Sequence, residues 1–276
     1  MGNGDWGMGT GRAVPPILCY HRVGGSLELG VTRIARSVFE RQMTALATAG
    51  WKTLTLAQFS DCLRTGNSAF RIPHSEFLLT FDDGYAELAA HAYPVLAELG
   101  FTATTFLVTD FIGRDNTWDV RYTWRRLRHL DWDAIERWQA RGFGFASHGA
   151  THARLTWLSD AAVAEDLSRS RQTLRTRLGR GAARAVAYPF GAADARIIRL
   201  AKEAGYEMGF GGVWEGGGHG DPLRLGRVPA YLWDAWDVPF GLRDDALGAL
   251  GRFVAGVTNR CALASSVMKR LVSGER

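Results

Sequence analysis

The 276-residue sequence predicts an α/β protein whose mostly parallel sheet closes into a barrel, with an open doubly wound sheet as the other arrangement of the same elements. Two observations predict this class. Short apolar runs alternate with amphipathic stretches along the chain, and seven of those runs have strand character. A third, the separation of the first run from the last, favours closure. Strands are expected over residues 16–20, 77–81, 104–108, 143–147, 184–188, 207–211 and 224–228, each short and apolar or β-branched, most of them bounded by turn residues. Helices are expected over 37–49, where Val38, Met43 and Leu46 recur at near-helical spacing, and over 86–99, 159–178 and 194–204. Ser159 and Asp194 are suited to cap the last two, and Gly50, Gly100, Gly179 and Gly205 to stop the four.

Composition narrows the function classes. With 46% hydrophobic and 22% charged residues the chain can bury a sizeable core, and arginines interrupt every apolar run before it could span a bilayer. The net charge is +5, and all basic residues except Lys52, Lys202 and Lys269 are arginine. These arginines are scattered along helical patterns and form no basic stripe, so nucleic acid is not an expected partner. Cys19, Cys62 and Cys261 are too far apart for a disulfide framework or a Cys-x-x-Cys knuckle, which leaves His and carboxylate as the metal ligands available. Residues 1–13 form a Gly-rich, flexible segment without the apolar core of a secretion signal, and a cytoplasmic location is expected. Residues 241–276 form a C-terminal extension. Over 246–272 it reads as a basic amphipathic helix that packs on the barrel, or else lies on a membrane surface or binds a partner.

Parallel α/β folds gather their chemistry at the carboxyl ends of strands, and four ends here carry polar or turn-forming residues. The first strand runs into His21, the second into Asp82-Asp83-Gly84, the fourth into Ser147-His148, and the fifth into Tyr188-Pro189-Phe190-Gly191. Adjacent carboxylates at the rim of a core are costly without a cation. One of them coordinating a divalent metal while the other serves as general base explains the pair, although capping of a helix near Ala86 would also explain it. His148 and His152, four residues apart, can face one point or be unrelated surface residues. Two imidazoles and a carboxylate are the three-ligand pattern of a catalytic zinc, with cobalt, nickel and iron also suited to such donors.

Three ordered segments, Leu79-Thr80-Phe81-Asp82-Asp83-Gly84-Tyr85, Ser147-His148-Gly149-Ala150-Thr151-His152 and Ala187-Tyr188-Pro189-Phe190-Gly191, resemble the polysaccharide deacetylases of carbohydrate esterase family 4, the NodB-homology family. The resemblance covers roughly residues 14–230 and implies a deacetylase domain at 14–240. It also implies a distorted (β/α)7 barrel, Asp82 as catalytic base, and Asp83, His148 and His152 as metal ligands. The sequence departs from the family pattern twice. Ala187 stands where better-studied members carry an arginine, with Arg184 nearby but out of register, and the late stretch Leu225-Gly226-Arg227-Val228-Pro229 lacks the histidine that supplies the general acid. The opening Ile17-Leu18-Cys19-Tyr20-His21-Arg22-Val23 is similar to the start of the bacterial poly-N-acetylglucosamine deacetylases, in which the acid-bearing strand comes first, as in a circular permutation. His21 is therefore the expected acid and His219, in a Gly-rich loop, its rival; His74, His91 and His129 read as ordinary surface or helix histidines.

The expected activity is metal-dependent removal of N-acetyl groups from N-acetylglucosamine-type residues of a polysaccharide or its precursor, in an exopolysaccharide pathway. The backbone N–H of Tyr188 would help to hold the oxyanion. An O-acetyl esterase and a non-catalytic glycan-binding module that retains the metal are the alternatives. Among Trp118, Trp124, Trp157, Trp214 and Trp233, Trp118 and Trp214 are the candidates for sugar stacking, and core packing is expected of the others.

Overall fold

The computed structural model describes residues 14–25, 32–65, 76–117, 127–212 and 221–230. The chain enters through β1 (Ile17–Tyr20) and two short paired strands, β2 (Arg22–Val23) and β3 (Arg33–Ile34), then forms α1 (Arg36–Thr48), β4 (Lys52–Thr53) and α2 (Leu56–Thr65). β5 (Glu76–Phe81) is followed by α3 (Glu87–His91), α4 (Tyr93–Glu98), β6 (Thr104–Leu107), α5 (Trp132–Gln139) and β7 (Gly144–Ser147). α6 (Asp160–Leu178), β8 (Ala185–Ala187), α7 (Ala195–Glu203), β9 (Met208–Phe210) and β10 (Val228–Pro229) complete the described elements.

The sheet is parallel, in the order β10-β1-β5-β6-β7-β8-β9. Its two ends are joined by one stretch of chain. Leu225 bridges Phe210 of β9, donating its N–H to the Gly209 carbonyl (2.8 Å), and three residues later Val228 and Pro229 pair with Leu18 and Cys19 of β1. Seven strands thereby enclose a distorted (β/α)7 barrel, the closed alternative of the two expected. Alternation sorts the side chains. Ile17, Leu78, Phe106, Ala146, Ala187, Phe210 and Leu225 share the interior cluster, while Leu18, Tyr20, Leu79 and Phe81 pack outward with Phe39 and Met43 of α1 and with Tyr93 of α4. Burial on both faces is why the strands read as unbroken apolar runs.

All seven expected strands exist within two residues of their expected bounds, except that the last one divides its pairing between two neighbours and is assigned only at Val228–Pro229. The helix expected over 86–99 is broken at Ala92, because Pro94 in the first turn of α4 has no N–H for a continuous ladder. Ser159 and Asp194 cap as expected, accepting from Ala162 N (3.3 Å) and Ile197 N (2.9 Å). α2, α5, β2, β3 and β4 lay outside the sequence reading. Among the described residues no helix is long and apolar enough to cross a membrane. The expectations for residues 1–13, for the helix over 246–272, and for Trp118, Trp124, Trp214, Trp233, His74, His219 and Cys261 fall outside the described residues.

Candidate functional site

Parallel pairing brings the four chemistry-bearing strand ends to one rim. Tyr20 pairs with Phe81, and the Asp82 N–H donates to the Tyr20 carbonyl at 2.9 Å, so Asp82 and His21 follow adjacent strands off the same edge. Leu107 pairs with Ser147 and its carbonyl accepts from His148 N (2.8 Å), while Ser147 pairs with Val186 of β8. His148 therefore begins its loop between β6 and β8.

Asp83, His148 and His152 converge there. Asp83 Oδ1 lies 3.4 Å from His148 Nε2 and 3.2 Å from His152 Nε2, and all three residues are buried. The Nδ1 of His148 is taken by the Ala187 carbonyl at 2.8 Å; since a carbonyl only accepts, Nδ1 carries a proton, and in the neutral ring the Nε2 lone pair faces Asp83. Asp83 Oδ1 is itself buried and makes no hydrogen bond of adequate geometry. Lone pairs pointed at one another in a dry site repel unless a cation lies between them, and the donor set, two imidazoles and a carboxylate, suits zinc and its divalent neighbours. The trio fits a divalent metal on this ground. Burial works against ionisation of Asp83, but the two imidazoles overcome it and hold the carboxyl well below its ordinary range. Burial, aided by the neighbouring His148, outweighs the carboxylates and carries His152 down to about 4, which favours the neutral, ligating form, whereas for His148 the charges of Asp82 and Asp83 outweigh burial and raise it.

The backbone stores strain at this site. Asp83 (φ 68°), His152 (φ 58°) and Phe190 (φ 60°) are the non-glycine residues with positive φ among those described, one in each of the three motifs. Each such conformation costs of order 1–3 kcal/mol and persists only where its surroundings fix it. Those surroundings are identifiable. His129 Nδ1 lies 2.8 Å from the Asp83 backbone carbonyl, with its ring stacked on Tyr85 (5.0 Å), and so holds the turn that aims Asp83. Asp166 of α6 accepts from Ala150 N (2.9 Å), Thr151 N (3.0 Å) and Thr151 Oγ1 (2.6 Å), fixing the loop between the two imidazoles. Gly149 is required here, since a Cβ at that position would lie 2.7 Å from Asp166 Oδ1. The Phe190 ring rests 4.8 Å from that of His152.

Asp82 is held differently. Arg227, on the closing stretch, donates Nη1 to Oδ1 and Nη2 to Oδ2, both at 2.7 Å, while its Nε donates to the Gly211 carbonyl at 2.9 Å. Both partners are buried. Desolvation pushes Asp82 upward, but Arg227 and then His148 reverse it and hold the carboxyl at about 2. Asp82 is therefore ionised, oriented and 3.9 Å from His148 Nε2, next to the trio without belonging to it.

Most site residues read from the sequence meet: His21, Asp82, Asp83, His148 and His152. Arg184, out of register in the sequence, lies outside the site and bonds Glu207 on the surface at 2.8 Å; the arginine on Asp82 comes from the late stretch that lacks the family's histidine. Several other expectations are corrected. The Tyr188 N–H donates to the Phe210 carbonyl (2.8 Å) and its hydroxyl to that of Leu223 (3.0 Å), so its backbone is committed to the sheet and not to an oxyanion. Neither Asp82 nor Asp83 caps the helix after Ala86, whose N-cap receives no side-chain bond. His129 is a buried site residue, not a surface one. Trp157, expected in the core, is 45% exposed with Arg154 over its ring.

Comparison with known proteins gives a consistent result. The family model described as "Polysaccharide deacetylase" matches residues 72–209. YxkH of Bacillus subtilis (strain 168) is 28% identical over 195 residues, which is 70% of this chain; the match spans only 63% of that relative's length. The poly-beta-1,6-N-acetyl-D-glucosamine N-deacetylase of Staphylococcus aureus (strain MRSA252) is 25% identical over 210 residues, 70% of each chain. Among solved structures, the Streptococcus pyogenes deacetylase PplD in complex with acetate superposes with a TM-score of 0.67 at 20% identity, covering 79% of this chain and 92% of that one.

Proposed function

The chain belongs to the polysaccharide deacetylase family, and from that premise we propose that it is a metal-dependent hydrolase removing N-acetyl groups from N-acetylglucosamine-type residues of a glycan. The convergence of Asp83, His148 and His152 around one point, beside an ionised Asp82, is the observation that carries this reading. The name of the Staphylococcus aureus relative suggests the substrate class, and the chemistry of the rim suggests how an amide is cleaved.

An amide is a weak electrophile with a poor leaving group, so its hydrolysis needs an activated water, a stabilised oxyanion and a proton for the departing amine. Asp83, His148 and His152 would hold the divalent ion. Once bound, such an ion polarises the acyl oxygen and lowers the pKa of water from 15.7 to about 7. Asp82 is the general base: it takes the proton of the attacking water at a carboxylate oxygen, and Arg227 keeps that carboxylate ionised and fixed in rotation. His21, following the adjacent strand, is the general acid that delivers a proton to the amine nitrogen as the carbon–nitrogen bond breaks.

Acetate released from β-1,6- and β-1,4-linked N-acetylglucosamine oligomers tests the proposal. Release is expected to stop with chelator and return with zinc. Asp82→Asn should keep its metal and lose turnover, whereas His148→Ala should lose both. Undiminished release after exhaustive chelation, or full activity in Asp82→Asn, would refute it.

A further inference from the structure

A second group of donor atoms lies beside the trio and shares no residue with it. Cys19, the penultimate residue of β1, His21 and Asp82 each offer one ligand atom, and these atoms lie within 4.8 Å of one another. Cys19 and His21 are two positions apart, so both project to the barrel interior, where Cys19 pairs alongside Thr80 at the level below Asp82. His21 Nδ1 is buried with no hydrogen-bond partner among the described residues, and the Cys19 thiol makes a long 3.8 Å contact to the Tyr20 carbonyl besides its interactions with Thr80 and Asp82.

We propose that Cys19, His21 and Asp82 form a second, weaker site for a thiophilic divalent cation such as zinc or cadmium, and that filling it inhibits the enzyme. Sulfur, nitrogen and oxygen donors together select soft and borderline ions over magnesium or calcium. Two features make the site the weaker one. Arg227 already occupies one lone pair on each Asp82 oxygen, leaving the other pair for an ion but placing a fixed positive charge nearby. Burial also pushes the Cys19 thiol upward, so the ion must displace a tightly held proton. Binding releases that proton to solvent, Cys19 ligates as thiolate, and no electrons are transferred. The trio, with three buried donors and no arginine on its carboxylate, fills first. Inhibition rests on the roles proposed above, because the second ion would take the lone pairs of both the general base and the general acid.

Cadmium titration of the metal-free protein, followed by metal analysis and ultraviolet absorption, tests the site without reference to activity. Two ions per chain are expected, the second accompanied by a cadmium–thiolate charge-transfer band. Cys19→Ser should keep the first ion and lose both the second and the band, with Cys19→Ala as a check on folding; Cys62→Ser and Cys261→Ser should behave as the unaltered protein. With one equivalent of zinc Cys19→Ser should remain active, and the zinc concentration that half-inhibits should rise at least about tenfold relative to wild type. One ion per chain in wild type, or a second ion and band that survive in Cys19→Ser, overturns the site. A second ion lost in Cys19→Ser with zinc inhibition unchanged overturns its inhibitory role. If no form releases acetate, the proposed function fails while the cadmium titration still decides the site.

Discussion

Arg227→Met removes the guanidinium that forks Asp82 and leaves a methyl thioether of similar length in its place. Two charge-assisted hydrogen bonds of 2.7 Å between buried partners are lost, and a carboxylate remains in the barrel without a counter-charge. Breaking a buried pair from one side costs about 3–5 kcal/mol, a large share of the 5–15 kcal/mol that holds a typical domain together. The expected loss of unfolding free energy, measured by urea denaturation of the metal-free protein, is in that range. Turnover should fall about a hundredfold, because a base free to rotate loses the alignment that the proton transfer needs. Arg227→Lys, which keeps the charge but offers no planar fork, should recover stability more than turnover. The double variant Asp82→Asn with Arg227→Met removes both charges and should be more stable than Arg227→Met alone, since the cost lies in the stranded carboxylate and not in the missing arginine. Metal content should be unchanged throughout, which separates this effect from damage to the trio. Stability within 1 kcal/mol of wild type in Arg227→Met, with turnover within about twofold, would refute the reasoning.

Three further outcomes are expected. His129→Phe keeps the stack on Tyr85 but loses the bond to the Asp83 carbonyl, and zinc affinity measured by competition with a chromogenic chelator should fall about 10–100-fold, with His129→Asn recovering part of it; unchanged affinity would mean that the Asp83 turn holds itself. Asp166→Ala strips three hydrogen bonds from the loop between the imidazoles and should lower both thermal stability, by about 1–3 kcal/mol, and zinc affinity; a stability loss without an affinity loss would count against its role in aiming the ligands. Asp82, held at about 2 against an ordinary 3.8, binds its proton less readily folded than unfolded, so its contribution is complete above pH 4 and is lost as the pH falls towards 2. At about 1.4 kcal/mol per pH unit it amounts to about 2 kcal/mol, and unfolding curves of the metal-free protein and of Asp82→Asn should converge across that window; parallel curves would remove the assignment.

The barrel was readable because its strands are buried on both faces and bounded by turns, so each registers as an isolated apolar run without any knowledge of its neighbours. What lay beyond the sequence were elements stabilised by position. β2, β3 and β4 are two residues long and leave no periodicity, and the break between α3 and α4 follows from one proline, Pro94, whose effect a pattern of apolar spacing over 86–99 conceals. His21, Asp82, Asp83, His148 and His152 were readable for a different reason: ionisable groups gathered after apolar strands have no structural use that repeats at three strand ends.

The supporting residues escaped because their partners are fixed only by closure or by loop geometry, yet one of them left a trace. Period-two alternation puts Leu225 and Arg227 on the same face of the last strand, and Leu225 packs inside the barrel with Ile17 and Phe106. An arginine on an inward-facing position cannot remain buried without an anion. Among the acidic residues expected at the rim, Asp83 was already committed to the imidazoles, which leaves Asp82. The alternation thus points to an Asp82–Arg227 pair, which in the structure is a fork of two 2.7 Å hydrogen bonds, in the stretch that lacks the family's histidine. His129 left no such trace. Its bond is to a backbone carbonyl in a left-handed turn, and nothing in the identity of Asp83 announces that its carbonyl needs a donor 46 residues away. The departures from the family pattern at Ala187 and in the late stretch are therefore linked: the strand that closes the ring supplies the arginine and the end of β1 supplies the histidine, so the group that forks Asp82 and the proposed general acid come from the two strands paired across the closure.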